Sequence, residues 1–378
     1  MTARPLAGDV QDAFTSPEHL ERIHGRPFAL RLGANESTFG PSQQTIDAIR
    51  RELARVSWYG DSTNHPLLVE LAATTGLPES RIAIGAGIDD LLDFATERLL
   101  RPGQTAVTTA GTYPMLESYV RANAGRCATV PYRSDLTVDL AALADLAVRV
   151  DAKIVYVANP DNPTGSYLPE RELSDFCLRL PGDCALFLDE AYVEFAGQGP
   201  DVSRSTSWDP AARARVVRFR TFSKVHGLAG LRAGYAILGE DYADVLRAHR
   251  QSGVNRIAHA AALAAIQDQD HVRSVVDEVA AGRSDYAALG RRLGWRPLPS
   301  RTNFVTFRLA SLETAVAWVE ALARRGVFVR RGFAPPLDRC LRVTVGTRSE
   351  RDQLADIAWS LHEVGMHDES SRASIVLL

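Results

Sequence analysis

The chain has 378 residues, 46% of them hydrophobic and 24% charged, with a formal net charge of -3. That length calls for one large or two coupled domains, and that balance is typical of a globular enzyme, not of a disordered chain. With no basic surplus the chain is not built to hold nucleic acid, and it has no run of about 18 apolar residues to cross a membrane.

Met1 to Ser16 has no basic start leading into an apolar stretch, so no secretory signal is expected. Cys127, Cys177, Cys184 and Cys340 have no metal-ligand spacing and read as reduced thiols of a cytosolic protein. A short helix is expected near Pro17 to Ile23. Leu30 to Pro41 reads as a short strand running into a Gly/Asn/Pro turn that carries Asn35, before a helix from Ser42 to Val56. Trp58-Tyr59-Gly60-Asp61 follows. Arg81 to Leu92 then reads as a strand, a glycine turn and an amphipathic helix. The free N–H groups at such a helix start can hold an anion, which makes Gly87, Ile88 and Asp89 candidates through their backbones.

Thr105 to Thr109 reads as a strand leading to Gly111-Thr112-Tyr113-Pro114-Met115. Lys153 to Ala158 is a continuous apolar run of the buried parallel kind, and it ends in Asn159-Pro160-Asp161-Asn162-Pro163-Thr164-Gly165. Ala185 to Asp189 ends a further buried strand on an acid, three residues before Tyr192. An unpaired charge there is costly, so Asp189 either meets a cationic N–H or caps a helix. Val216 to Phe222 delivers Lys224, with hydroxyls at Thr221 and Ser223 beside it and Arg232 eight residues on. A lysine set among small residues at a strand end becomes a nucleophilic amine when desolvated, and an arginine fork suits a phosphate. Strand Ala236 to Gly239, helix Asn255 to Gln267 and a helix from Gly282 to near Gly294 follow. Three strands then begin at Ser300, Gly326 and Leu341, carrying Arg330 and Arg342.

Ser223-Lys224-x-x-Gly227-Leu228-x-Gly230-x-Arg232-x-Gly234-Tyr235 resembles the cofactor-lysine motif of the class I/II, or fold-type I, aminotransferases. It is most similar to the histidinol-phosphate aminotransferase branch. The Asn159 to Gly165 signature, Asp189-Glu190-Ala191-Tyr192 and the Gly85 to Asp90 turn support the same resemblance, which covers roughly residues 30 to 360. It implies an α/β fold: a mostly parallel, doubly wound sheet in a large domain plus a smaller α+β domain. The expected boundaries are an N-terminal segment 1–34, a large domain 35–249 and a small domain 250–378. The implied cofactor is pyridoxal 5'-phosphate, and the implied reaction moves an amino group from an amino acid or an amino alcohol phosphate to a 2-oxo acid. Histidinol phosphate is the first substrate to consider. The implied assembly is a homodimer with shared active sites.

In this resemblance Lys224 bonds the cofactor and then serves as general base and acid. Asp189 faces the pyridine nitrogen, Asn159 and Tyr192 the phenolic oxygen, and Tyr113 stacks on the ring. Gly87, Ile88, Asp89, Thr221, Ser223 and Arg232 hold the phosphate, with Tyr59 reaching over from the partner subunit. Asn35, Arg330 and Arg342 face the substrate. The chain departs from the family pattern at Ser37-Thr38, Ile88, Leu116 and Ser252-Gly253, and residues 1–30 lack the usual Pro-Tyr segment. Ser37-Thr38, Leu116 and Ser252-Gly253 are expected to sit around the substrate-facing rim, which leaves an aromatic or specialised amino acid as an alternative substrate. Lyase, decarboxylase or cyclase chemistry on the same fold also stays open. A DNA-binding regulator is disfavoured, because only about 30 residues precede the Leu30 to Pro41 segment.

Overall fold

The computed structural model describes residues 15–197, 210–247, 254–332 and 334–365. Regular structure opens with helix α1 (Pro17–His24) and strand β1 (Leu30–Arg31), then α2 (Gln43–Leu53) and α3 (His65–Thr75). Next come β2 (Ile82–Gly85), α4 (Ile88–Leu99), β3 (Thr105–Thr109), α5 (Met115–Ala122) and β4 (Arg126–Val130). The α6 (Leu140–Arg149), β5 (Ile154–Ala158), α7 (Glu170–Leu178), β6 (Ala185–Asp189), α8 (Pro210–Ala214) and β7 (Val216–Thr221) elements follow. After β8 (Gly234–Leu238) and α9 (Ala243–Arg247) the helices α10 (Arg256–Gln267) and α11 (Gln269–Arg292) run in sequence. The chain ends its described part with β9 (Arg296–Pro297), β10 (Phe304–Arg308), α12 (Leu312–Arg324), β11 (Val327–Phe328), β12 (Arg330–Arg331), β13 (Cys340–Thr344) and α13 (Arg348–Glu363).

Two compact units result. Of the described residues, the larger comprises those from 37 to 280 and 300 to 303, the smaller those from 15 to 36, 281 to 299 and 304 to 365. The large unit is built on a seven-stranded sheet in the order β2-β8-β7-β6-β5-β3-β4. Pairings from β4 through β7 are parallel, and β8 alone runs against its neighbours β7 and β2. One face is covered by Leu91, Leu92 and Ala95 of α4 with Leu116 and Val120 of α5, packed on Tyr156, Phe187 and Phe219. The other face takes Leu67 and Leu71 of α3 and the alanine stripe Ala258, Ala261, Ala262 and Ala265 of α10. In a sheet sheathed on both faces the central strands are buried, and every residue of β5, β6 and β7 is, including Arg218 and Arg220 of β7, whose charges are met by Glu190. The α/β expectation of a mostly parallel, doubly wound sheet is met.

In the small unit β12-β13-β10-β9 form an antiparallel sheet, and β1 pairs in parallel with β11. The single strand expected over Gly326 to Arg331 is therefore two strands in different sheets, broken at Val329. Residues 254–280, expected in the small domain, belong to the large unit, because the alanine stripe of α10 packs on the large sheet. The helix expected to begin at Gly282 starts at Gln269; Gly282 sits within it, where a Cβ would stand 2.3 Å from Val345.

Candidate active site

The parallel strands end at one edge of the large sheet, and loops leaving such an edge gather at its topological switch. Asn159 follows β5, Asp189 ends β6 and Lys224 follows β7. Gly234 opens the reversed strand β8 opposite both Gly85 and Thr221, so Arg232 and the Gly87 turn reach the same edge.

Side-chain contacts join these groups. The Tyr113 hydroxyl donates to Asp89 Oδ1 at 2.9 Å, and Arg232 Nη2 lies 3.5 Å from Asp89 Oδ2. Arg232 Nη1 approaches Ser223 Oγ at 3.4 Å, and Ser223 Oγ accepts from Thr221 Oγ1 at 2.9 Å. Gly87 has φ +89, and a Cβ on it would stand 2.5 Å from Arg232 Nη2, so this turn and this guanidinium need a glycine between them. Ile88 opens α4 as its first residue, with its side chain buried in the core and its backbone at the helix start. The partly exposed Lys224 places Nζ 5.6 Å from the centre of the buried Tyr192 ring.

Asp189 is 5% exposed and accepts from Tyr156 Oη at 2.7 Å and from the Ala191 N–H at 3.0 Å. Burial pushes its carboxyl up to about 6, against the pull of those two bonds and of Lys224. The Asn159 amide is fixed in orientation: Oδ1 accepts from Leu168 N at 2.7 Å and Nδ2 donates to Leu168 O at 3.0 Å. That leaves Nδ2 one further N–H to offer. The Asn159–Pro160 and Asn162–Pro163 bonds of this turn are both cis.

Two functional-site residues were not singled out from the sequence. Tyr156 is the one hydroxyl in the apolar β5 run, and that interruption was its signal. Asp161, fully buried, accepts from Thr112 Oγ1 at 3.2 Å, Tyr132 Oη at 3.0 Å, Thr164 N at 3.1 Å and Thr164 Oγ1 at 2.7 Å. It ties the Asn159 to Gly165 turn to the turn that carries Tyr113. A third polar cluster involves β6 and β7: Glu190 accepts from Arg218 Nη2 at 2.6 Å and Arg220 Nε at 2.8 Å. Burial opposes ionisation of Glu190, but the two guanidinium groups outweigh it and hold its carboxyl below the usual range.

Tyr59 also belongs to the large unit, and it is fully exposed, with its carbonyl held by Arg256. Leu116 corrects the sequence expectation: it is fully buried under the sheet, so its departure from the family pattern is a packing choice, not a change at a substrate rim. Ser252-Gly253 and the tail Ser370 to Leu378 lie outside the described residues.

The remaining candidates lie in the small unit. Arg330 and Arg342 are direct cross-strand partners on β12 and β13. Arg342 Nη2 donates to Gly33 O at 2.9 Å, and Arg330 Nη2 donates to Thr15 O at 2.8 Å. Burial, then the neighbouring charge of Arg342, lowers the Arg330 guanidinium to about 10. Asn35, at φ +54, exchanges hydrogen bonds with the Thr344 hydroxyl at 3.0 and 3.1 Å.

Comparison with known proteins matches residues 29–357 to the model of the family described as aminotransferase class I and II. Histidinol-phosphate aminotransferase 2 of Carboxydothermus hydrogenoformans is 34% identical over 87% of this chain and 90% of its own length. Histidinol-phosphate aminotransferase 1 of Nitrosococcus oceani is 35% identical over 90% of each chain. The crystal structure of histidinol-phosphate aminotransferase from Sinorhizobium meliloti in complex with pyridoxal-5'-phosphate superposes with a TM-score of 0.86 at 37% identity. It covers 95% of this chain and 99% of that one.

Proposed function

The chain belongs to the aminotransferase class I and II family, and on that premise we propose that it moves the amino group of histidinol phosphate to a 2-oxo acid such as 2-oxoglutarate. It is a pyridoxal-phosphate-dependent transaminase of small molecules. The large-unit residues fit the cofactor. A buried strand-end carboxylate suits a pyridine N–H, and the glycine cradle at Gly87 admits an arginine fork beside a helix start. Bound there, pyridoxal phosphate supplies a carbonyl carbon that takes up the amino group and a ring that draws electrons from the substrate carbon.

Each residue then has a defined task. Lys224 is the amine that would bond the cofactor, and its Nζ would serve as the general base and acid there. Asp189 keeps the ring nitrogen protonated. Asn159 and Tyr192 would donate to the phenolic oxygen, and Tyr113 would cover the ring and exclude water. Arg232, Ser223, Thr221 and the N–H groups at Gly87, Ile88 and Asp89 hold the phosphate.

The observation that carries the substrate assignment is the cross-strand pair Arg330 and Arg342. Like charges set directly opposite on neighbouring strands are destabilising, and a doubly charged phosphate relieves that repulsion better than a carboxylate. Asn35 belongs to the same unit as the two arginines and is proposed to face the substrate as well. A homodimer is part of the same proposal, with the exposed Tyr59 reaching the partner's cofactor phosphate, as is a cytosolic location. A half-reaction tests the substrate. The yellow enzyme is titrated with histidinol phosphate and with a panel of amino acids while its visible absorbance is recorded. Conversion of the bound cofactor to its amino form by histidinol phosphate at the lowest concentration supports the assignment. Conversion only by an aromatic or other amino acid replaces it, and product formed without the amino form moves the chain to lyase, decarboxylase or cyclase chemistry.

A further inference from the structure

Two carboxylates stand in the first turn of α4, and they do different things. Asp90 Oδ2 turns back to accept from the Ala86 N–H at 2.7 Å, which closes the glycine turn. Asp89 turns outward. Its Oδ1 accepts from the Tyr113 hydroxyl at 2.9 Å and its Oδ2 faces Arg232 Nη2 at 3.5 Å. A carboxylate beside a phosphate-binding fork is repelled by the phosphate it helps to seat, so its charge is justified only by what it holds.

We propose that the side chain of Asp89 is a positioning residue that locks the plane of the Tyr113 ring to the phosphate-holding Arg232. The cofactor is then gripped at its ring and at its phosphate by groups sharing one carboxylate. The three residues come from three loops: the start of α4, the turn after β3 and the segment before β8. Backbone geometry supports the sharing. Arg232 is held at φ +56, and its Nη1 is tied to Ala229 O at 3.1 Å, which aims Nη2 at Asp89. Tyr113 is half-buried, and its ring is anchored at the hydroxyl end by Asp89. Thr112, next to it in the chain, is pinned to Asp161. The stacked ring is thus fixed at its tip and at its backbone.

This inference rests on the cofactor reading above, and the test separates the two. Tyr113→Phe, Asp89→Ala, Asp89→Asn and the double variant Tyr113→Phe/Asp89→Ala are compared with the wild-type holoenzyme. The readouts are the pyridoxal phosphate dissociation constant, from fluorescence quenching, and the visible circular dichroism per bound cofactor. Loss of one such hydrogen bond predicts threefold to tenfold weaker binding, roughly, in each of Tyr113→Phe and Asp89→Ala. Each also loses dichroism, and the double variant falls no further than Asp89→Ala alone, because the two residues act as one unit. Asp89→Asn keeps an acceptor for the Tyr113 hydroxyl but turns an NH2 toward Arg232, so its dichroism falls between that of the wild type and that of Asp89→Ala. Multiplying losses in the double variant, or unchanged dichroism in Asp89→Ala, overturns the proposal. Should Asp89→Ala fail to fold, unchanged dichroism in Tyr113→Phe overturns it instead. A wild-type protein that binds no pyridoxal phosphate defeats the cofactor reading itself.

Discussion

The Tyr156 hydroxyl on β5 donates to the Asp189 carboxylate on the neighbouring strand β6 at 2.7 Å, with both residues buried. The bond favours the ionised form of a carboxyl that burial has pushed up to about 6. Asp189 must be ionised to hold a proton on the ring nitrogen, and a bound pyridinium N–H draws its carboxyl back down, so the raised value belongs to the cofactor-free protein and its affinity for the cofactor is expected to fall as the pH drops through that region. Tyr156→Phe removes a bond to the charged form and moves the acid limb of the cofactor-affinity profile upward, by about one pH unit. An unmoved acid limb would show that Asp189 does not set it.

The same shift has a stability consequence of definite sign. The folded value of Asp189 lies above its ordinary 3.8, so the fold favours the protonated form. That contribution is present below the unfolded value and is lost as the pH rises through about 6. Asp189→Asn, which cannot ionise, is therefore expected to stabilise the cofactor-free protein at neutral pH, by roughly 1–3 kcal/mol, while abolishing turnover. Denaturant unfolding at pH 5 and pH 8 checks both the gain and its growth with pH.

Lys224→Ala is expected to abolish turnover and the yellow colour together, since the remaining site groups supply no amine within reach of the cofactor carbon. Near-normal turnover would place the proton transfer elsewhere. Arg232→Ala should instead keep the chemistry and weaken cofactor binding by one to two orders of magnitude, roughly the worth of a charge-assisted bond. Equilibrium dialysis of the cofactor separates the two effects.

The large sheet was legible because the β5 and β6 runs, apolar but for Tyr156, each end in a chemical group, Ala158 before Asn159 and Leu188 before Asp189, and because Lys224 follows a β-rich run that carries Arg218 and Arg220. A buried parallel strand has no alternation to confuse, and its carboxyl end announces the loop that follows. The small unit read less well. Gly326 to Arg331 has the composition of one strand, and only pairing with β1 and β13 divides it at Val329. Leu116 misled because a family position suggests a role, whereas burial is decided by which face of α5 meets the sheet. Tyr156 and Asp161 were passed over because a hydroxyl or carboxylate inside a motif takes its meaning from partners distant in sequence, here Asp189 and Tyr132.

Arg342 offers a test of substrate class. Arg342→Lys keeps the positive charge but loses the planar fork, so it separates charge from bidentate geometry. With histidinol phosphate as donor its KM should rise about tenfold or more, and kcat should change much less, because the anion is held alike before and during the chemistry. The effect on the 2-oxo acid half-reaction measures how far the same arginine serves a carboxylate. A loss with the 2-oxo acid and none with histidinol phosphate, which has no carboxylate, would assign Arg342 to the α-carboxylate alone and remove the case for a phosphate site.

Glu190 gives the last prediction, one about stability. Its carboxylate is 3% exposed and lies between the Arg218 and Arg220 guanidinium groups, at 2.6 and 2.8 Å. Arg218 also approaches Glu170 at 3.4 Å. Removing the central anion leaves two buried cations facing each other, with the weaker counter-charges of Glu170 beside Arg218 and Glu194 beside Arg220. Breaking a buried pair from one side costs about 3–5 kcal/mol, whereas surface ion pairs such as Arg50–Asp47 are worth little. Glu190→Gln is therefore expected to lower the unfolding free energy by about that amount, and Asp47→Asn by less than about 1 kcal/mol. Because Glu190 follows Asp189 directly, the loss should also loosen the strand end that presents the catalytic carboxylate. Urea unfolding of both variants, with cofactor absent, measures the first effect. A loss in Glu190→Gln no larger than that of the surface variant would mean that water or backbone groups neutralise the two arginines as well as the glutamate does.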